Sequence, residues 1–254
     1  MDEKRIIACL DIKDGAVVKG VNFVNLKEVG DPLELGAWYE ASGADELAML
    51  DITATVEGRA TFASLVEAMR AHVRMPITVG GGIKCVDDAA RLFDCGASTV
   101  SVGSQAILTP ALLSDLSHTF GSERIICAID VKRTPDSRWR VVSRGGRSET
   151  SLDCIAWARE VASRGAGEIL LTSMDCDGEK GGFDIALYQA VGEAVEIPIT
   201  ASGGAGKMEH FAEVFKETAV SAALGASIFH FREVEIATLK IFLSQCGIPM
   251  RNRT

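Results

Sequence analysis

Asp11, in ACLDIKDG (8–15), and Asp130, in CAIDVKR (127–133), each close a run of apolar residues and are each followed by a lysine two positions on, Lys13 and Lys132. An apolar strand that ends on a carboxylate delivers it to the rim of a parallel α/β architecture, where the loops that carry chemistry begin. Two carboxylates brought to one rim suit general acid–base work, in which one side chain gives a proton and the other takes one. The competing reading is that each aspartate caps the helix after its loop. The matched context of the two favours the catalytic reading.

Glycines carry a second signal. Gly80–Gly82 in PITVGGGI and Gly203-Gly204 in PITASGGAG end two similar strands, and Gly103-Ser104 and Gly225–Ser227 end another similar pair. Glycine lets the backbone approach a ligand closely, and N–H groups at the start of a helix attract anions. Two such sites on opposite sides of one mouth imply a long substrate with a phosphate at each end. The alternative is that these glycines only make tight turns. SGGAGKM is not a phosphate loop of the Walker type, because Ala201 and Met208 stand where a Gly and a Ser or Thr are required. His72, His118 and His210 fall on predicted helices and His230 follows the last predicted strand, so all four are expected to be surface or packing residues. Seven cysteines without C-x-x-C spacing read as reduced core residues. No cofactor or metal is expected.

The elements that must position these residues alternate eight times between strand and helix. Strands are predicted at about 5–11, 45–51, 76–80, 98–102, up to Asp130, 167–173, 197–202 and 220–225. Helices start at Asp31-Pro32 and near 60, 86, Thr109-Pro110, 152, 184, 207 and 234. The first strand is followed by a polar, glycine-containing loop (15–30) that carries Lys19, and residues 133–149 read as a hairpin turning at Gly145-Gly146. Segments recur in order: ADELAML and AGEILLT match Glu46 with Glu168, and GASTVSVGSQAI and TAVSAALGASIF match Gly103 with Gly225. Eight βα units and an internal repeat point to a (β/α)8 TIM barrel of two similar half-barrels, about 1–121 and 122–254, in one domain with a small hairpin insert after the fifth strand. A doubly wound open sheet is the alternative, and the repeat counts against it. The 254 residues, 47% hydrophobic, suffice for one large core, and the net charge of −9 argues against non-specific nucleic-acid binding. With no apolar run of about 18 residues and a charged N-terminus, the expectation is a cytoplasmic protein with no membrane contact.

KRIIACLDIKDG, NFVNLKEVGDP, LDITAT, TVGGGI, AIDVKR, RGAGEILLTSMDCDG, ASGGAGKMEHF and SIFHFRE together resemble the cyclase subunits of imidazole glycerol phosphate synthase, the HisF type, along essentially the whole chain. The resemblance implies a lyase of histidine biosynthesis that uses ammonia to cyclise and cleave a bisphosphate substrate. It implies Asp11 and Asp130 as the acid–base pair. It places one phosphate at Gly82, Gly103 and Ser104 and the other at Gly178, Gly204 and Ser227, with Lys19 closing over the substrate. Asp51, Thr172, Asp177, Ser202, Gly203 and Ala226 join the binding set. Ammonia would come from a glutaminase subunit of the HisH type docked on the N-terminal face of the barrel, along a channel through its axis.

Strand alternation puts Arg5 on the face of Asp11 at the other end of the first strand, with Glu46 and Glu168 as its natural company. The bland reading leaves these three exposed at the barrel bottom. In the resembling family a gate of two basic and two acidic residues crosses the channel, and Thr99 occupies the second basic position here. The expectation is therefore a looser ring, one positive charge against two negative, with Arg5 bridging Glu46 and Glu168 or choosing between them. Ser98-Thr99 stands where that family has an Asp-Lys pair, Gly103 where it has Asn, and Cys176 where it has Arg. Three rival functions remain: the isomerase of the preceding step, a diverged cyclase of another pathway, and a non-catalytic barrel scaffold.

Overall fold

The first strand has Ile6, Ala8, Leu10 and Ile12 on one face and Ile7 and Cys9 mid-strand on the other, so its middle is apolar on both sides, as in a sheet that is covered on both sides. In the computed structural model, which describes residues 3–19, 27–52 and 62–252, that strand is β1 (Arg5–Lys13), and it runs on into β2 (Ala16–Lys19) and β3 (Lys27–Gly30). The first half continues as α1 (Pro32–Ala41), β4 (Glu46–Asp51), α2 (Ala63–His72), β5 (Ile77–Gly80), α3 (Val86–Asp94), β6 (Thr99–Val102), α4 (Ser104–Leu108) and α5 (Ala111–Phe120). The second half repeats the plan with β7 (Ile125–Arg133), β8 (Trp139–Ser143), β9 (Ser148–Asp153), α6 (Cys154–Ser163), β10 (Glu168–Ser173) and α7 (Ile185–Gly192). It closes with β11 (Ile199–Ser202), α8 (Met208–Glu217), β12 (Ala222–Gly225), α9 (Ser227–His230) and α10 (Ile236–Gln245).

Strands β1, β4, β5, β6, β7, β10, β11 and β12 pair in parallel in that order, and β12 returns to β1 through Arg5↔Ala222, so the sheet is a closed eight-stranded barrel wrapped by helices. Closure removes every edge among these eight. The alternation along the strands produces two separate cores. Ile6, Ala8, Leu10 and Ile12 of β1 point outward into the layer shared with the helices. Ile7 and Cys9 point inward, where they meet Ala48, Ile126, Leu170, Ala222 and Leu224 from the other strands.

The aspartates do not cap helices. β1 continues past Asp11 to Lys13 and pairs antiparallel with β2 (Ile12↔Val17), and β7 continues past Asp130 and pairs with β8 (Asp130↔Val142). Both carboxylates thus sit within strands that overshoot the barrel. The segment after β1, expected as loop, is strand-paired on both sides of residues 20–26, which lie outside the described residues (β2 with β3, Lys19↔Lys27). The predicted 133–149 hairpin is present as β8 and β9 and extends to Asp153, which caps α6 by accepting from the Ala156 N–H at 3.0 Å. Helix α1 starts where Asp31-Pro32 predicts, with the Asp31 carboxylate accepting from the N–H groups of Leu33 and Glu34. Helices α4 and α9 were not foreseen, being too short to leave a periodic signature. All seven cysteines are free thiols, with Cys9, Cys127 and Cys154 buried. The four histidines are on the surface or in packing positions, and the buried His230 shares a hydrogen bond through Nδ1 with the Tyr39 hydroxyl.

One buried ion pair ties the last helix to the barrel bottom. Lys240 Nζ on α10 donates to Asp45 Oδ1 at 2.8 Å and to the Gly43 carbonyl at 3.2 Å, while the Ile6 N–H donates to Asp45 Oδ2 at 2.8 Å. The Asp45 side chain is fully buried. Removing one partner of such a pair strands the other charge, at a cost of about 3–5 kcal/mol. Lys240→Met, which keeps the stem, should therefore lower unfolding free energy in urea by that order; a loss below about 1 kcal/mol would show that the pair is not a structural tie.

Candidate active site

The C-terminal ends of the barrel strands open into one mouth. Asp11 and Asp130 face it from β1 and β7, which stand diametrically opposite in the strand order, and both line the cavity. Around them the structure collects Asp51, Gly82, Gly103, Ser104, Thr172, Asp177, Gly178, Ser202, Gly203, Gly204, Ala226 and Ser227. Of the residues expected to bind substrate, the side chain of Lys19 lies outside the described residues, though its backbone ends β2. Gly81 and Gly82 have φ of 102° and 73°, and a Cβ on Gly81 would lie 2.4 Å from the Asp51 carbonyl oxygen. Gly203 and Gly204 behave alike, with a Cβ on Gly204 lying 2.0 Å from the Gly182 carbonyl. These turns need glycine, and they aim backbone at the cavity.

Asp130 accepts a hydrogen bond from the Thr172 hydroxyl, which alone would favour its charged form. Burial outweighs that, and the Asp177 carboxylate adds repulsion, so its pKa rises from an ordinary 3.8 to about 6. Asp11 is buried and accepts from the Cys9 thiol, Sγ to Oδ1 at 3.7 Å. Behind the β10 and β11 ends, the buried Tyr188 hydroxyl donates to the Ser202 carbonyl at 2.7 Å and accepts from the Ser202 N–H at 3.1 Å. That bond pair fixes the turn leading to Gly203.

At the opposite end of the barrel Arg5 spans two carboxylates: Nη1 to Glu46 Oε1 and Nη2 to Glu168 Oε1, both 2.8 Å. Glu168 also accepts from the Thr200 hydroxyl, and Arg5 reaches Ser221 Oγ at 3.3 Å. Thr99 hydrogen-bonds Thr78, hydroxyl to hydroxyl at 2.6 Å. Burial works against the Arg5 charge, yet the two carboxylates raise its pKa further. The charge count expected for this ring, one against two, needs correction. Arg251 Nη1 lies 3.4 Å from Glu46 Oε1, placed there because the tail strand-pairs with the start of β1 (Lys4↔Met250). Two arginines thus face two glutamates.

Residues 5–235 match the family described as "Histidine biosynthesis protein". Over 248 residues, 98% of each chain, the sequence is 54% identical to the imidazole glycerol phosphate synthase subunit HisF of Cytophaga hutchinsonii. It is 50% identical over 251 residues to the HisF subunit of Streptococcus mutans, and 50% over 252 residues to that of Geobacillus thermodenitrificans, in each case 99% of this chain and all of the relative. The chain belongs to the HisF family. This HisF chain fills the site partly with residues that its sequence did not single out. Arg144, Gly145 and Arg147, at the tip of the β8–β9 hairpin, line the mouth, as does Gln105 beside Ser104. The hairpin is held across the mouth at both ends: the Arg144 N–H donates to Ser104 Oγ at 2.9 Å, and Trp139 Nε1 to Asp184 Oδ2 at 2.9 Å. A signal was there to be read, since Arg133, Arg138, Arg140, Arg144 and Arg147 crowd one short segment of an acidic chain.

Two expectations follow. The Asp130 carboxyl binds its proton more tightly in the folded chain than in the unfolded one. Its contribution to stability is therefore fully present below about pH 4 and is lost as pH rises through about 6, a difference of about 3 kcal/mol. Asp130→Asn should raise the melting temperature relative to the parent at pH 8 and leave it little changed at pH 4; equal effects at both would show that the carboxyl is not perturbed. At the other end, Arg5→Met leaves two part-buried carboxylates without their main partner and should cost about 3–5 kcal/mol. Arg251→Ala, at a longer and more exposed contact, should cost less than about 1 kcal/mol. Urea unfolding of the two variants decides, and the reverse order would sink the assignment of Arg5 as the centre of the ring.

Proposed function

We propose that this chain is the cyclase subunit of imidazole glycerol phosphate synthase. It uses ammonia to cyclise and cleave the phosphoribulosyl-formimino aminoimidazole carboxamide ribotide, giving imidazole glycerol phosphate and aminoimidazole carboxamide ribotide. The observation that carries the reading is the pair Asp11 and Asp130 on opposed strands, set between two glycine-lined cradles. That spacing suits a substrate anchored by a phosphate at either end with its reacting centre between the carboxylates. Gly82, Gly103 and Ser104 hold one phosphate, and Gly178, Gly204 and Ser227 hold the other. Ammonia addition, ring closure and carbon–nitrogen cleavage each move protons. Asp130, with a pKa of about 6, is close enough to neutrality to act as the acid, and Asp11 serves the opposite side of the centre.

A subunit of a synthase works with a partner. Here the partner is read as a glutaminase subunit of the HisH type on the N-terminal face of the barrel, in the cytoplasm. Between that face and the mouth the barrel is lined by Ile7, Cys9, Ala48, Ile126, Leu170, Ala222 and Leu224, an apolar sleeve that favours neutral ammonia over a cation. The Arg5 ring closes the sleeve at its lower end as a gate. The Ser98 hydroxyl accepts from the Ile77 N–H at 3.2 Å, so it serves its own barrel and docking there rests on its neighbours. Full-length relatives described as HisF favour this reading over the isomerase of the preceding step.

With the bisphosphate substrate and ammonium salt at high pH, without any partner, the parent should consume the substrate's absorbance. Asp11→Asn and Asp130→Asn should each lower kcat by about 10²–10⁴-fold while changing KM far less. Near-normal turnover in either variant removes that residue from the pair, and isomerisation of the earlier intermediate by the parent would replace the cyclase reading.

A further inference from the structure

We propose that Arg144, assisted by Arg147, is a guanidinium clamp that binds the substrate phosphate on the β5–β6 side of the mouth. The proposal rests on the two-phosphate reading above and deepens it. Its first ground is charge. Asp11, Asp51, Asp130 and Asp177 all line the mouth, and among the described residues the cationic side chains that line it are Arg144 and Arg147. Backbone N–H groups supply only partial charges, so an anion entering beside four carboxylates gains most from a full positive charge.

The second ground is the shape of the cradle. Gly103 has φ of −109°, which any residue adopts, and a Cβ there would make only ordinary contact with Ala128 at 3.5 Å. The fold would thus tolerate a side chain at Gly103, and the glycine there supplies no side-chain donor. The Ser104 hydroxyl is already accepting the Arg144 N–H, which roots the arginine stem directly beside that position.

The third ground is how the hairpin tip is built. Arg144, Gly145 and Gly146 follow one another in the left-handed region, with φ of 56°, 62° and 78°. For a non-glycine residue that conformation is unfavourable and persists only where its surroundings hold it. Here the Ser104 bond holds one side, and Gly146 is packed so closely that a Cβ would lie 2.8 Å from Met174 Cε. Two other arginines of the hairpin are occupied: Arg138 pairs with Asp136 at 2.6 Å and Arg133 lies over the Trp139 ring. Among the described residues neither Arg144 nor Arg147 is in an ion pair, which leaves two planar forks to grip phosphate oxygens in pairs.

The test uses the full chain and two readouts: calorimetric titration with inorganic phosphate, and KM against kcat for the bisphosphate substrate with ammonium. Arg144→Gln, and more so the Arg144→Gln/Arg147→Gln double variant, should weaken one class of phosphate site and raise KM by about tenfold or more, with a smaller change in kcat. Arg144→Lys should recover only part of the loss, because it restores a point charge and not the fork. Arg138→Gln, on the same hairpin but away from the mouth, should change neither. Phosphate affinity and KM unchanged in the double variant would overturn the clamp while leaving the cyclase reading intact. Phosphate binding that depends on Arg144, in a parent that does not turn over the bisphosphate, would support the clamp and remove the cyclase reading.

Discussion

The strict two-residue period of a strand in a closed barrel is the constraint from which the rest of this structure follows. Within β1 it puts Arg5, Ile7, Cys9 and Asp11 on the inner face, so one strand supplies the arginine of the bottom ring, part of the apolar sleeve and a carboxylate at the mouth. Six residue steps of strand lead from Arg5 to Asp11, about 20 Å along the chain. The neighbouring registers carry the same layers around the barrel: Cys9 stands beside Ala48, Asp130 beside Thr172, and Thr172 beside Ser202. A slip of one residue in any strand would turn its inner set toward the helices, so packing and function are specified together.

The two ends of this tube solve opposite electrostatic problems. At the bottom, Arg5 meets two glutamates in part-buried pairs, the more exposed Arg251 adds a longer contact to Glu46, and hydroxyls of Thr200 and Ser221 supply further hydrogen bonds. At the mouth the carboxylates outnumber the arginines, and the excess is expressed in Asp130, whose proton is held to about pH 6 by burial and by Asp177. An apolar sleeve separates the two, which keeps the bottom ring from neutralising the top.

The frame and the placing of two opposed carboxylates at one mouth were legible in the sequence because they depend on local order: apolar runs, alternation, and a carboxylate or glycine at each strand end. Asp31 and Pro32 mark a helix start by their own chemistry, and the helix starts there. What stayed hidden depends on distant parts of the chain meeting. Nothing near Glu46 announces Arg251, which reaches it only because the tail pairs with Lys4. Arg144 is a surface residue by every local measure until its backbone is found on Ser104. The strands after β1 pair on the edge that β1 offers by overshooting the barrel, a contact that the local sequence does not announce.

The internal repeat shows how a symmetric frame became an asymmetric device. RIIACLD (5–11) and RIICAID (124–130) match Arg5 with Arg124, and Glu46, Thr78 and Thr99 have counterparts in Glu168, Thr200 and Ser221. Strict symmetry would place two arginines in the ring, one from each half. Arg124 instead lies outside it, with its guanidinium 3.7 Å from the Phe93 ring centre and bonded to the carbonyls of Ala97 and Ser98. The second cation comes from the tail, an element that has no partner in the repeat. The same divergence recurs above the mouth, where β2–β3 and β8–β9 are equivalent flaps on β1 and β7, the first ending β2 on Lys19 and the second carrying Arg144 and Arg147. Duplication fixed where charges could be delivered, and residues outside the duplicated strands decided which charges arrived.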